Sequence, residues 1–418
     1  MALLQGPSSY FFDLVGDALI ERGAETLRIC FCVGDRLFWR RKPSLFYRGA
    51  VEAWPQALAE ILAARGVTDL LMLGDSRPRH RLAIDVARAA RVAPHIVEHG
   101  YFRPDWLTHE IGGMAARSPF GAAWASGAAA RPTLQEAEAM RAPDAALYRS
   151  SFRDYAAMDV AYNLSNVATN WIAAPRYAGH SNISPLREYA GWLRKLVVAP
   201  SRARQAEARL APVLADPRPL FLWALQLETD FQIRDAEGGS QRALIAPLIA
   251  AFAAAAPSGA RLVVKAHPLD NTLTPWRPSI TRAAADHSLE ARVIFVEGGD
   301  LEALLARAAG VVTVNSSVGF RALAVGAPTY CLGEALYDAP GLTASAERAA
   351  AIAERLAGLR AFFASPRAPD ETEALAFLAA LRRETQFRGA FDGEGAAPGA
   401  AALADRILGA ARPDYSSG

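Results

Sequence analysis

The sequence predicts an α/β protein of two Rossmann-like halves facing a cleft, with a helical insertion between them and helices at the C-terminal end. Three observations predict it. Short apolar, β-branched runs alternate with longer helical patterns, the signature of βαβ units and parallel sheets. The runs are nearly all apolar, as strands covered on both faces are. The chain has 418 residues, enough for two domains at roughly 100–200 residues each.

In the first half, strands are expected at 27–33, 69–73 and 94–98, with helices over 51–65 and 81–90 between them. In the second half, strands are expected at 220–225, 261–265, 293–296, 310–314 and 329–331. The helices separating them fall at 241–256, 300–309 and 317–324. From 134 to 210 the pattern is helical and strand-poor, with Glu136, Glu138, Arg149 and Arg153 among apolar positions. Further helices are expected at 346–363, 371–383 and 400–411. The domains are therefore expected to be 1–133, a helical linking segment 134–210, 211–385, and a C-terminal helix with a mobile tail, 386–418. The stretch 389–399 and the tail 413–418 are rich in small residues and are expected to be mobile.

Composition narrows the function. Hydrophobic residues make up 52% and charged residues 21%, which provides for a large core and excludes wholesale disorder. A net charge of +2 is too balanced for a general nucleic-acid binder. The three cysteines, Cys30, Cys32 and Cys331, are an odd number, and none has further Cys or His at metal-site spacing. They are expected to be buried thiols in a reducing compartment, with no metal. Asp13 and Asp17 interrupt the only candidate signal peptide. No run approaches the ~18 apolar residues of a spanning helix. The expectation is a cytoplasmic protein, soluble or attached to a membrane surface.

Four strand-end segments carry chemistry. Ligands of open α/β sheets bind beyond the carboxyl ends of strands. Lys265-Ala266-His267-Pro268 closes one strand: lysine supplies charge, histidine a phosphate contact, and proline fixes the turn. Asn315-Ser316-Ser317 lies between a strand and a helix, where hydroxyls and free backbone N–H groups suit a phosphate. Each of these alone is as well read as a satisfied strand end or ordinary helix capping. Their pairing in one half-domain favours a nucleotide site, to which Glu297, after the strand at 293–296, is added. The third segment runs Glu98-His99-Gly100-Tyr101-Phe102-Arg103-Pro104-Asp105-Trp106. Arg103 suits a substrate carboxylate, and Tyr101 and Trp106 suit a sugar ring. The fourth is Gln226-Leu227-Glu228-Thr229-Asp230-Phe231-Gln232, which lacks the glycine-rich fingerprint of a dinucleotide fold. A weaker segment, Gly74-Asp75-Ser76-Arg77 with His80, reads either as a tight turn or as a substrate contact.

Two Rossmann-like halves around a cleft form the GT-B glycosyltransferase architecture. The segments GPSSYFFDL, GDSRPRH, EHGYFRPDWLTHEIGG, QLETDFQ, KAHPLDN and NSSVGFRAL, in that order, resemble the capsular polysaccharide synthesis family, specifically its KpsS/LipB-type Kdo transferases. The resemblance covers most of the chain. It implies a GT-B-like fold, CMP-β-Kdo as donor with no separate cofactor, and a lyso-phosphatidylglycerol acceptor that receives the first Kdo of a poly-Kdo linker. Related sialyltransferases hold CMP through His-Pro and Ser-Ser elements, which match His267-Pro268 and Ser316-Ser317. The family usually has a second acid where this sequence has His99, leaving Glu98 as the functional acid.

The resemblance also implies a β-linked product from the β-linked donor, so configuration is retained through two inversions, with Asp230 as nucleophile and Glu98 as base. Gln226, Gln232, Asp75, His80, Tyr101 and Arg103 are candidate substrate contacts. The alternatives are a transferase of another CMP-activated ulosonic acid, such as sialic acid, and a non-catalytic capsule assembly or export adaptor. Expected partners are the CMP-sugar, a lipid acceptor, other capsule assembly proteins and the inner-leaflet membrane. The membrane contact is placed on a basic, aromatic stretch: Phe38, Trp39, Arg40, Arg41, Lys42, Phe46, Tyr47 and Arg48.

Overall fold

The computed structural model describes residues 1–40, 43–177, 179, 184–228, 240–345 and 351–410. In chain order the strands of the first part are β1 (Ala2–Leu3), β2 (Leu27–Cys30), β3 (Ser44–Phe46), β4 (Asp69–Leu73), β5 (Ala93–His99) and β6 (Trp106–Ile111). They are followed by β7 (Leu220–Ala224), β8 (Arg261–Lys265), β9 (Val293–Val296), β10 (Ala308–Thr313), β11 (Thr329–Cys331) and β12 (Gln386–Arg388). The chain divides into a first unit of Met1–Ala129, Pro143–His180 and Leu381–Gly418, and a second of Ala130–Ala142 and Ser181–Ala380. The strand-poor segment is shared: the helix Phe152–Ala173 lies in the first unit and the helix Pro185–Leu214 in the second.

The first unit holds a seven-stranded sheet in the order β12-β6-β5-β4-β1-β2-β3. β1 to β5 run parallel, whereas β6 is antiparallel to β5 and β12 antiparallel to β6. Both faces of the sheet are covered. In the helix Phe11–Glu21, Phe11, Phe12, Val15 and Leu19 form one buried stripe, packed with Leu403 and Ile407 of the helix Ala396–Gly409. A second core gathers Trp54, Leu58, Ile84 and Ala87 against Ile29, Leu70, Met72 and Ile96. Each fully buried large side chain of this kind contributes about 1.5–3 kcal/mol.

The second unit holds a five-stranded, wholly parallel sheet in the order β11-β10-β7-β8-β9. Four of the five residues of β8 are buried, and β7 is buried throughout. The helix Gln241–Ala255 begins where the Ser240 hydroxyl accepts from Arg242 N, and it stops just before Ala256-Pro257, where proline biases its predecessor out of the helical region.

The α/β class and the two Rossmann-like units are as the sequence predicts. The strands at 69–73, 261–265, 293–296 and 329–331 have the expected limits. Strands β1, β3, β6 and β12 were not expected. Three of these have only two or three residues, too few for a period-2 pattern. β6 buries Thr108, His109 and Glu110, so it reads as a polar loop. The stretch 389–399, expected to be mobile, is built into the first unit as the exit from β12, a short 3-10 turn Gly393–Gly395 and the start of the helix Ala396–Gly409. A Cβ at Gly389 would stand 2.5 Å from Gly399 Cα, so small residues here permit close packing of backbone on backbone.

Candidate functional site

The second unit's first strand is β7. β8 and β9 follow on one side of it, and β10 and β11 on the other. The topological switch therefore lies between β7 and β10, where open α/β sheets bind ligands. Gln226 and Asn315, just beyond these two strands, close on each other there. Gln226 Nε2 donates to Asn315 Oδ1 at 2.7 Å, and Asn315 N donates to Gln226 Oε1 at 3.0 Å. Gln226 is fixed in turn by Gln241, which accepts from Gln226 N at 3.0 Å and donates to Gln226 O at 2.9 Å. Along the same sheet edge the order is Asn315-Ser316-Ser317 after β10, Gln226 after β7, Lys265-His267 on β8 and Glu297 after β9.

These groups differ in how they are held. Lys265 is 7% exposed, and burial lowers its pKa, with Asp300 opposing. His267 is half-buried, and its Nδ1 accepts from Leu269 N at 3.0 Å. A neutral ring held this way carries its proton on Nε2 and is a donor there. Pro268 is exposed, and its carbonyl accepts from Lys195 Nζ. Ser317 is exposed and makes no side-chain cap bond at the start of the helix Val318–Ala324, while Ser316 Oγ accepts from Val318 N at 3.2 Å. Glu297 is engaged: Arg202 donates to its Oε1 at 2.6 Å, and Arg277 lies 3.7 Å from Oε2. It fastens the helix Pro185–Leu214 to the end of β9. Glu228 accepts from Ser240 Oγ and from Gln241 N. Asp230 and Gln232 lie outside the described residues.

The Asn315–Ser317 loop is braced from behind by residues that no motif announced. Tyr337 OH donates to Ser316 O at 2.6 Å. A Cβ on Gly319 would meet the Tyr337 ring at 2.1 Å, so Gly319 makes room for this brace. Next to it, Asp338 forms a buried ion pair with Arg355 at 2.6 Å and accepts from Thr343 Oγ1 at 2.6 Å. Arg355 also donates to Cys331 O at 3.0 Å.

In the first unit the corresponding switch lies between β1 and β4, because β2 and β3 follow β1 on one side and β4 and β5 lie on the other. Here the edge is filled by the unit's own side chains. Gln5 Nε2 reaches Tyr162 OH at 2.6 Å, Tyr177 OH at 2.9 Å and Asp35 Oδ1 at 3.2 Å. Asp35 accepts from Phe31 N, Cys32 N and Tyr162 OH. The start of the helix Val33–Leu37 is occupied as well: Val33 N donates to Asn170 Oδ1 and Gly34 N to Asn166 Oδ1.

Several expected substrate contacts of this unit are struts. Asp75, 3% exposed, accepts from Met114 N and from Arg117 Nε and Nη2 at 3.1, 3.1 and 2.9 Å. His80 is buried with Nδ1 against the carbonyls of Leu73 and Gly74, and burial pulls its pKa down to about 3. Tyr101 OH donates to Glu110 Oε1 at 3.1 Å and accepts from Ala115 N at 3.0 Å. Trp106 donates to Asp144 at 2.6 Å, with the Arg388 guanidinium 4.0 Å from its ring centroid. All four were read as facing ligand because residue type alone does not give side-chain direction. Arg103 is exposed. Glu98 is half-buried at the end of β5; its Oε1 accepts from His99 N at 2.9 Å, and its Oε2 would lie 3.0 Å from a Cβ on Gly74.

In the basic, aromatic stretch the first two aromatic residues are turned inward. Trp39 is 0% and Phe38 5% exposed. Arg40 is paired with the buried Asp13 at 2.9 Å, and the Arg48 guanidinium lies over the Phe46 ring at 5.5 Å. Arg41 and Lys42 lie outside the described residues. Trp39 and Phe38 pack in separate buried clusters and Tyr47 packs against a third, which is why they occur beside charges.

A family model described as "Capsule polysaccharide biosynthesis protein" matches residues 68–391. The chain belongs to this family. Capsule polysaccharide export protein KpsS of Escherichia coli is 30% identical over 358 residues, covering 82% of this chain and 86% of that protein. Capsule polysaccharide modification protein LipB of Neisseria meningitidis serogroup A is 28% identical over 356 residues, covering 82% of each. Among solved structures, the KpsC beta Kdo 2,7 transferase of Thermosulfurimonas dismutans aligns with a TM-score of 0.40 at 14% identity, covering 91% of this chain and 99% of that one.

Within this capsule biosynthesis protein, the matched range includes Gly74 and Glu98 of the first unit, though not Gln5 or Asp35, and Gln226, Lys265 and Asn315 of the second. Tyr337, Asp338 and Arg355 also fall inside it. The one available signal for them was a charged residue, Arg355, at a core position of an apolar helix pattern. Among the described residues no helix is long and apolar enough to cross a membrane.

Proposed function

We propose that this protein is a glycosyltransferase that moves Kdo from CMP-β-Kdo to a lyso-phosphatidylglycerol acceptor during capsule polysaccharide assembly. One observation carries the reading. At the second unit's switch point, Gln226 and Asn315 satisfy each other, while Lys265, His267 and Ser317 share that sheet edge as a cation, a ring donor and an uncapped hydroxyl. A nucleoside monophosphate needs such a set: charge and donors for the phosphate, at strand ends of one parallel sheet. Membership of the capsule biosynthesis family supports the same reading.

In the proposed reaction a carboxylate oxygen of Asp230 attacks the anomeric carbon of Kdo. The bond to the phosphate oxygen breaks, and CMP leaves with its electron pair. The acceptor hydroxyl then attacks the same carbon, its proton passing to Glu98, and Asp230 is released. Two inversions give retention. Arg103 or Lys265 holds the sugar carboxylate.

The test is incubation with CMP-Kdo, CMP-sialic acid and lipid acceptors, with products identified by mass spectrometry. Kdo transfer with retained configuration is the expected result. Sialic acid transfer would move the donor assignment, and no transfer from any donor would favour a non-catalytic assembly role. Asp230→Asn is expected to bind CMP and not turn over. His267→Ala and Ser317→Ala are each expected to weaken CMP binding in calorimetry by about 1.5–3 kcal/mol, as loss of a charge-assisted contact does.

A further inference from the structure

The helix Pro185–Leu214 of the second unit bears an apolar stripe that its own unit leaves bare. Leu186, Ala190, Leu193 and Val197 are exposed and recur at helical spacing, so they face one way. Leu193 is 67% and Val197 80% exposed, with Leu196 beside them at 62%. The opposite side is anchored. Gly191 packs against Asn271 and Leu273, Lys195 Nζ donates to Asp270 O at 2.7 Å, and Arg202 holds Glu297. Ala206, Leu210 and Val213 continue that side into the core. The helix is thus held in rotation with Leu186, Leu193 and Val197 outward.

Charge selects the occupant. From Pro185 to Arg204 there are five cations, Arg187, Arg194, Lys195, Arg202 and Arg204, against one acid, Glu188. Lys195 and Arg202 are used inward. Arg187, Arg194 and Arg204 are exposed beside the stripe and have no ion pair among the described residues. The first unit's helix Phe152–Ala173 makes a useful contrast. It exposes Trp171 and Ile172 at 71% and 67%, but its charges are Arg153, Asp154 and Asp159.

We propose that the Leu186–Val197 face of this helix docks on an anionic lipid surface, lying in the headgroup plane. Its apolar side chains enter the acyl boundary, and its arginines reach lipid phosphates along their apolar stems. A second copy of the same stripe is a poorer occupant, because it would bring like guanidinium groups together. The inference rests on no step of the proposed reaction and is measured without donor or acceptor.

The test is flotation of the full chain with phosphatidylcholine vesicles, with and without phosphatidylglycerol. Binding is expected only to the anionic vesicles and to weaken with salt as screening grows. Leu193→Asp with Val197→Asp is expected to abolish it. Each Arg→Gln change at 187, 194 and 204 is expected to lower it about fivefold, from the attraction of one basic side chain to an anionic surface, and the triple Gln variant to lower it by the product of the three. These arginines are exposed and make no ion pair among the described residues, so their variants are expected to fold normally, and Trp171→Asp on the other helix is expected to bind like wild type. Failure of the wild type to float at low salt overturns the proposal, as does wild-type binding by the Asp pair or the triple Gln variant. A dimer disrupted by the Asp pair, without vesicle binding, would make the face a self-interface and overturn it too. Transfer to a soluble acceptor is expected to survive in these variants. Its absence from every protein, with vesicle binding intact, would count against the proposed reaction alone.

Discussion

Each unit closes its first strand with the same two residues: Leu4-Gln5 after β1 and Leu225-Gln226 after β7. Both glutamines sit at a topological switch point, yet they are used differently. Gln5 points into a cluster of Asp35, Tyr162 and Tyr177, and Asn166 and Asn170 of the helix Phe152–Ala173 take the N–H groups that open the neighbouring helix. Gln226 is tied sideways to Asn315. The first edge's polar groups are joined to one another, whereas the Gln226–Asn315 pair fixes the shape of the second. The lesson is that a polar strand end is not evidence of a site until its hydrogen bonds have been assigned, because buried polar groups must be satisfied whether or not a ligand comes.

Four experiments sharpen this comparison or break it. The largest effect is expected in the second unit, where Arg355→Met strands the buried Asp338 carboxylate. The loss should be about 3–5 kcal/mol in denaturant unfolding, together with weaker CMP binding because Tyr337 no longer braces Ser316. In the first unit, Asp35→Asn should cost roughly 2–3 kcal/mol, since the buried carboxylate anchors several donors. It should leave CMP affinity unchanged in calorimetry; a drop there would mean the first edge is not self-contained.

The third and fourth experiments use pH. Glu110 is buried, and its pKa is raised to about 7. Above the usual carboxylate value the unfolded chain releases this proton while the folded one keeps it, so stability falls as pH rises and levels off near 7. Glu110→Gln should remove that fall, a gain of about 3 kcal/mol at pH 8 read by thermal unfolding. His80 acts in the opposite direction. Burial lowers its pKa to about 3, so the unfolded state binds a proton that the folded state refuses, and stability is lost as pH drops below about 6.5. His80→Gln should flatten the acid limb by about 2 kcal/mol at pH 5. Unchanged limbs in both variants would show that these groups are not enclosed.

The alternation of strands and helices was legible wherever a strand was an uninterrupted apolar run, as in β4, β8 and β9. It was not legible in β1, where two residues carry no period, although this strand defines the first switch point. Lys265, His267 and Asn315 were visible as polar groups at the ends of such runs. Tyr337 and Arg355 were not, because their partners Ser316 and Asp338 lie 21 and 17 residues away in sequence. Asp75, His80 and Tyr101 show the reverse failure. They stand at strand ends with suitable chemistry, but the fold turns them inward onto Arg117, Leu73 and Glu110.

The route of the backbone sets an order of birth. β12 pairs with β6, and the helix Ala396–Gly409 covers Phe11. A ribosome delivers these closing pieces only after the whole of the second unit. At roughly 5–20 residues per second, the first unit waits on the order of tens of seconds with one sheet margin unpaired and its aromatic stripe uncovered. The half made first is the half finished last. A nascent chain stopped before residue 386 would carry a complete second unit and an unclosed first one, ready for a chaperone or for aggregation.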